Sequence, residues 1–496
     1  MLSNELTRRH LIKRATAFSA GFAGLHLLYA AGQCAAGEAV RALLQSPDDD
    51  AGKASKVAEI GYGPLTKDAA GIIDLPLGFS YAVIARRGDL MNDGLLVPGQ
   101  PDAMATFPGS TADRVILVCN HELSVGSEKW SAFGKDLEHF KKIDPSRIYD
   151  AGAGITPPCG GTTTIVYNVK ERKKEKQFLS LAGTINNCAG GAMPWGAWLS
   201  CEEDASNAGP LGSEGSKRDG ALEKNHGYVF EVAASEAMEL AIPRPIPAMG
   251  RFKHEACCMD TRSGVVYLTE DRADGILYRY LPKNKTNLHE GGTLQAMVVR
   301  DRPSLNTSNL GETAAVKPGE PMAVSWMNLD EIDAPKDDLR HRGFAAGAAS
   351  FSRNEGMWFG NDCVYFAATT GGKKQKGQLW KYYPSAAEGS AGEEAAPGKL
   401  ELFVEPNDGA IIENADNVTV APWGDLIVCE DEAGDGDGLN HLVGVTPQGK
   451  VYKLGKNAMS DSEFAGATFS PDGSTLFVNI QTSGLTLAIT GPWKSA

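Results

Sequence analysis

The sequence predicts an all-β fold, a six-bladed β-propeller with one helical insertion. Three observations predict it. Short runs rich in Val, Ile, Leu, Tyr and Phe recur between Gly, Asp and Pro turns, in a chain with 57 glycines in 496 residues. Several of these runs end on polar side chains, as "VVYLTED" does at Glu270 and Asp271. A further polar residue precedes each ending by fourteen to sixteen positions: Cys188 before Glu202, Glu255 before Glu270, Glu355 before Thr369, Asp416 before Glu430, Glu463 before Asn479. A chain that runs out along one strand, turns and returns along the next brings both ends to one edge. Each repeat therefore presents polar groups on the same face, and repeats of this size close into a propeller around a central channel.

The elements follow in chain order. Residues 1–36 carry the pair Arg8 and Arg9, then Lys13 and Arg14, an uncharged stretch and small residues. That is the pattern of a twin-arginine signal, which hands a folded protein to the twin-arginine translocation machinery and places it in the periplasm or outside the cell. The stretch from Ala15 to Ala31 includes His26 and several small residues, so it makes no stable membrane span. Residues 37–62, with "LLQSPDDDAGKASK", read as a linker, and 63–496 as the propeller. The segment "EKWSAFGKDLEHFKKIDPSRIYDAG" has helical spacing and supplies the insertion. "DRVILVCNHE", ending at Glu122, supplies a sixth strand with a polar exit. The hairpins turn at Arg262-Ser263-Gly264, Pro422-Trp423-Gly424 and Pro471-Asp472-Gly473, and runs such as "GILYRYLP" and "GQLWKYYP" complete the blades. "SAAEGSAGEEAAPGK" is a low-complexity loop.

Charge excludes some partners. Without residues 1–36 the body holds 44 basic against 61 acidic side chains, a net charge of −17. Such a body repels nucleic acid and anionic membranes. Nine cysteines are an odd number in a chain too large to need disulfide staples. Cys201, Cys257, Cys258 and Cys429 alternate away from the acids and read as core. His121 and His254 fit either a ligand or a packed histidine, and "DEAGDGDG" at 431–438 either a calcium loop or a turn, with the turn preferred.

Carboxylates gathered this densely cannot all stay ionised without compensation, and bound cations provide it. Hard oxygen ligands suit Ca2+. Cys188 adds a soft ligand, which points to a transition metal beside the calcium. Arg251, Lys253, Arg272 and Arg353 flank these motifs, and bases beside metals suit an anionic substrate.

At these residues the sequence resembles the PhoX family of secreted bacterial alkaline phosphatases. The resemblance runs through "LPLGFSYAVI", "CNHE", "CAGGAMPWGAWLSCEE", "KHEA", "VYLTED", "RNEG", "DNVTVAPWGDLIVCED", "SEFAGATFSPDG" and "LFVNIQTSG", from about Gly63 to Trp493. It implies an exported propeller that holds Fe3+ and Ca2+ and cleaves small-molecule phosphomonoesters. Carried over residue by residue, it marks Glu122, Cys188, Glu202, Glu203, Glu255, Glu270, Asp271, Glu355, Asp416, Glu430, Asp431 and Glu463 as metal ligands. Cys188 with a subset of glutamates, including Glu255 and Glu355, would hold iron, and the remaining acids calcium. A phosphomonoester dianion needs charge neutralisation and an in-line nucleophile. Cations supply the first and activated water the second, while Arg353, Lys253 and Arg272 are placed to clamp the phosphoryl oxygens. Two other readings compete: a calcium-dependent propeller hydrolase of another class, lactonase-like, and a non-catalytic calcium-binding propeller. Cys188 disfavours the first, because a lone calcium site has no use for a thiolate.

Overall fold

The computed structural model describes residues 60–211, 220–311, 314–431 and 438–494. The export signal, nearly all of the linker and most of the acid-rich turn after Asp431 lie outside the described residues. Among the described residues, no helix is long and apolar enough to cross a membrane.

The fold is all-β and propeller-like. Among the described residues, six inner strands organise it: Pro101–Pro108, Asn187–Met193, His254–Asp260, Asn354–Gly360, Ala415–Val420 and Phe464–Phe469. They pack on one another in chain order, and the last packs back on the first. Each pairs antiparallel with the strand that follows it. The following strands, such as Arg114–His121 and Leu426–Glu430, are buried along nearly their whole length and apolar in the middle, because packed sheets cover both of their faces. Large side chains from neighbouring sheets fill the space between them, among them Phe107, Phe230, Tyr267, Phe366 and Trp380.

Closure joins the two ends of the fold. Ser80–Arg86 pairs with Leu485–Thr490, so an early strand becomes the outer edge of the last sheet. Ile73–Pro76 likewise extends the sheet of Ala415–Val420 by pairing with Val451–Asn457. Met322–Asn328 bridges two sheets into one of nine strands through Met322↔Leu400 and Ala323↔Lys399.

The expected helical insertion is corrected. Residues 128–154 hold only short 3-10 turns, at Glu128–Trp130, Phe140–Lys142, Pro145–Arg147 and Gly152–Gly154. Gly134 and Leu137 adopt left-handed backbone, with φ of 83° and 56°, which breaks a helix between its apolar positions. Phe133, Ile143 and Ile148 still bury, but as anchors of a loop. The α-helix among the described residues is Leu339–Ala345, preceded by Asp337 and Asp338.

Candidate metal centre

A repeated backbone irregularity builds the site. All six inner hairpins lose register at the same point, where two residues of the inner strand face one of its partner. That is a β-bulge, which re-aims the first of its two side chains. The first bulge residues, in chain order, are Asp102, Cys188, Glu255, Glu355, Asp416 and Gly466. Five of the six are metal-ligand types. The second bulge residues are Ala103, Ala189, Ala256, Gly356, Asn417 and Ala467, and all but Asn417 are small enough for the inner strands to approach. A Cβ on Gly356 would lie 2.6 Å from the Asn417 Cα, and one on Gly466 would lie 2.4 Å from the Asp102 carbonyl oxygen. With glycine forced at that place, the sixth hairpin supplies Glu463 from three residues earlier.

The structure brings seven of the expected ligands together in three overlapping trios: Cys188 with Glu203 and Glu255, Glu255 with Glu355 and Asp416, and Asp416 with Asp431 and Glu463. Within each trio one ligand atom per residue lies within 4.8 Å of the others. At an effective dielectric of ~20, two carboxylates 4.8 Å apart repel by about 3 kcal/mol. Several such pairs in one shared site exceed what a protein of ordinary stability can absorb, so protons or cations must neutralise it. Burial, then Glu355, Asp416 and Glu203, push Glu255 well above the usual carboxylate range. Burial and then Asp271 do the same to Glu355, against the opposing pull of Arg353. Burial and Asp431 raise Glu463, whose Oε2 is buried with no hydrogen-bond donor among the described residues. That stranded oxygen and the mixed thiol–carboxylate donor set fit bound cations.

Sequence reasoning missed Asp102. It is buried and raised well above its ordinary pKa by burial, then by Glu122 and Asp416. The Gln481 amide ties it to the expected residue Glu122, donating to Asp102 Oδ2 at 3.1 Å and to Glu122 Oε2 at 2.8 Å. The signal was available, because Asp102 stands where Cys188 and Glu255 stand in their hairpins.

Three expected ligands, Glu202, Glu270 and Glu430, lie outside these trios. Glu202, Glu270 and Glu430 each close a strand opposite the residue just before a bulge, paired with Asn187, His254 and Ala415. Their side chains point away from the following acids Glu203, Asp271 and Asp431, as strand alternation requires. Glu202 accepts from Ile185 N, Gly227 N and Tyr228 N and pairs with His226 Nδ1 at 2.6 Å. Glu430 accepts from Glu413 N, His441 N and Lys453 Nζ. Glu270 accepts from the Tyr278 hydroxyl at 2.7 Å and lies 3.6 Å from Arg340. These contacts brace the fold, and Glu270 Oε1 is left buried with no hydrogen-bond partner among the described residues. The two ambiguous histidines are also structural. His121 bonds Gly99 O and Thr163 Oγ1, while His254 bonds Gly250 O and stacks on Phe252 at 3.6 Å. Burial lowers them to about 4 and about 3. Cys201, Cys257, Cys258 and Cys429 are buried in apolar clusters.

The three basic residues gather at the rim. Arg353 donates twice to Asp271, at 2.9 and 2.8 Å, and once to Glu355 at 2.7 Å. It holds a left-handed backbone with φ of 58°. Lys253 Nζ lies 3.5 Å from Glu203. Burial alone would lower its ammonium, but Glu203 leads the carboxylates that raise it instead. Arg272 pairs with Asp337. All three remain partly open to solvent, at 21%, 28% and 30% for Arg353, Lys253 and Arg272. An anion approaching the acidic cluster thus meets cations first.

The family model for alkaline phosphatase PhoX matches residues 60–156 and 147–484. No curated protein sequence matches the chain. Among solved structures, PhoX of Pseudomonas fluorescens in complex with vanadate, a transition state analogue, is similar at 19% identity with a TM-score of 0.61, over 85% of this chain and 96% of that one. A gluconolactonase of Xanthomonas campestris is similar at 10% identity with a TM-score of 0.37, over 83% of this chain and 98% of that one. The first likeness shows the fold, and the second is too loose to carry an argument. The family match spans most of the chain, which belongs to the PhoX family of alkaline phosphatases.

Proposed function

We propose that the chain is a six-bladed propeller that hydrolyses small-molecule phosphomonoesters at the mouth of its channel, with Fe3+ and Ca2+ held by the bulge-borne ligands. The cycle of six inner strands supports the blade count. The observation that carries the reading is the set of three overlapping trios with one cysteine sulfur among carboxyl groups. Cys188, Glu203 and Glu255 would hold iron, and Asp416, Asp431 and Glu463 calcium, with Glu255, Glu355 and Asp416 between them. Asp102 and Glu122 add charge beside the cluster. When bound, the cations neutralise the phosphoryl oxygens and lower the pKa of attacking water.

The remaining work falls to the chain itself. Arg353, Lys253 and Arg272 receive the phosphoryl oxygens at the rim and orient the ester for in-line attack. Asp271 holds the Arg353 guanidinium with two parallel hydrogen bonds, so its position is set before substrate arrives. Burial and the neighbouring carboxylates favour the protonated forms of Glu255, Glu355 and Glu463, and bound cations would favour their ionised forms. Residues 1–36 direct the chain through the twin-arginine machinery to the periplasm or the medium, ahead of a linker to residue 62.

The test is elemental analysis of the purified full chain together with a chromogenic phosphomonoester assay and vanadate inhibition. Iron, calcium, turnover and inhibition are expected together. Turnover without iron would remove the mixed centre. Calcium with no turnover would leave a binding propeller. Cell fractionation of an Arg8→Lys, Arg9→Lys variant tests export, which the variant should lose.

A further inference from the structure

We propose that Asp337 is a positioning residue for phosphoryl binding, braced by Arg340 so that it holds Arg272 at the rim. The inference rests on reading Arg272 as a phosphoryl clamp. Arg272 follows Asp271 on the exit of strand Val265–Glu270. Its carbonyl accepts from Gly275 N and from Arg353 N, both at 2.9 Å, so its backbone is fixed to that of the neighbouring rim arginine. Its side chain is fixed separately. One terminal nitrogen donates to Asp337 Oδ2. Asp337 Oδ1 accepts from Arg340 at 3.1 Å, and the Asp337 carbonyl accepts from the same nitrogen at 2.8 Å. Arg340 is buried, and its other contacts are Asp274 at 3.0 Å and Glu270 at 3.6 Å. Glu270 in turn is anchored by the Tyr278 hydroxyl at 2.7 Å.

The chain of contacts therefore runs Tyr278, Glu270, Arg340, Asp337, Arg272, from the core to the rim. Asp337 holds left-handed backbone with φ of 52°, a conformation that costs a non-glycine residue free energy and persists where surroundings enforce it. Arg272 Nε is buried and has no acceptor among the described residues. One terminal nitrogen is thus committed to Asp337, and the partly exposed remainder of the guanidinium keeps terminal N–H groups for an incoming oxygen. Lys253 lies close enough to feel the Arg272 charge, so both cations serve one anion. Glu270, expected at the metals, acts instead through this relay.

The experiment is a double-mutant cycle in the full metal-loaded chain. Arg272→Ala, Asp337→Ala and the double variant are compared for KM, kcat, iron and calcium content, and the Kd of inorganic phosphate by calorimetry. Each single variant should raise KM and phosphate Kd about tenfold, the worth of one charge-assisted hydrogen bond, with metal content retained. The double variant should be no worse than Arg272→Ala, because Asp337 acts only through it. Asp337→Glu should recover most of the loss. If Asp337→Ala does not fold, Asp337→Asn removes the charge at constant size and takes its place. A changed melting temperature with unchanged KM and phosphate Kd, or losses that multiply to about a hundredfold in the double variant, overturns the proposal. Unchanged phosphate binding in Arg272→Ala overturns it too and removes Arg272 from the site, while turnover by the unsubstituted chain would leave the phosphatase reading standing.

Discussion

The Cys188 sulfur lies 3.3 and 3.5 Å from the carbonyl oxygens of His254 and Glu255 on the neighbouring inner strand. Burial, then Glu255 and Glu203, push its thiol well above the ordinary range, so it becomes a thiolate only when a cation replaces its proton. Cys188→Ala should lower iron content and phosphomonoester hydrolysis together, activity by at least about tenfold, with stability changed by about 1 kcal/mol. Elemental analysis, kinetics and a melting curve on one sample check this; full iron and activity would make Cys188 a packing residue. His226 offers a different test. It is enclosed between Glu202 at 2.6 Å and Asp150 at 3.4 Å. Burial opposes its charge, but Glu202 and Asp150 outweigh burial and raise it to about 9. Its folded value exceeds the unfolded one, so its contribution is complete below pH ~6.5 and gone once pH has risen through about 9. The contribution is about 3 kcal/mol by the size of the shift. Melting temperature should therefore fall more steeply across that window in the natural chain than in His226→Gln.

At the scale of the element, the bulge decides what reaches the channel. Gly466 occupies the bulge position with φ of 64°, against the backbone of Asp102. Gly466→Ala should cost at least about 2 kcal/mol from conformational strain and collision, whereas Gly449→Ala, left-handed but with only 3.6 Å contacts to Phe403, should cost about 1 kcal/mol. Equal losses, read from denaturant unfolding, would show that strain alone matters. The hairpins were legible in sequence because a strand, a short turn and a strand make a nearly constant spacing. Asp102 escaped because the segment from Pro108 to Arg114 lengthens its hairpin and breaks that spacing. Glu202, Glu270 and Glu430 could not be told in sequence from the acids that follow them, because adjacent acids look alike although consecutive strand residues face opposite ways. The insertion misled for a related reason. Its apolar spacing is genuine and its residues bury, but Gly134 and Leu137 reverse the backbone between them.

Across the whole molecule, the acids make stability depend on cations. Removing Ca2+ with a chelator should lower both melting temperature and activity, and returning Ca2+ should restore both while iron content stays constant. Absence of either change after confirmed calcium loss would show that the cluster is neutralised by protons alone. The closure of the ring carries a consequence in time. The candidate ligands extend from Asp102 to Glu463, and the strand Ser80–Arg86 finds its partner only at Leu485–Thr490. During synthesis the strand Ser80–Arg86 waits for residues 485–490 to leave the ribosome. A chain stopped before residue 485 therefore carries every candidate ligand but lacks the strand that locks the circle. Closure of the ring is thus a late event in synthesis, one that follows every candidate ligand from Asp102 to Glu463.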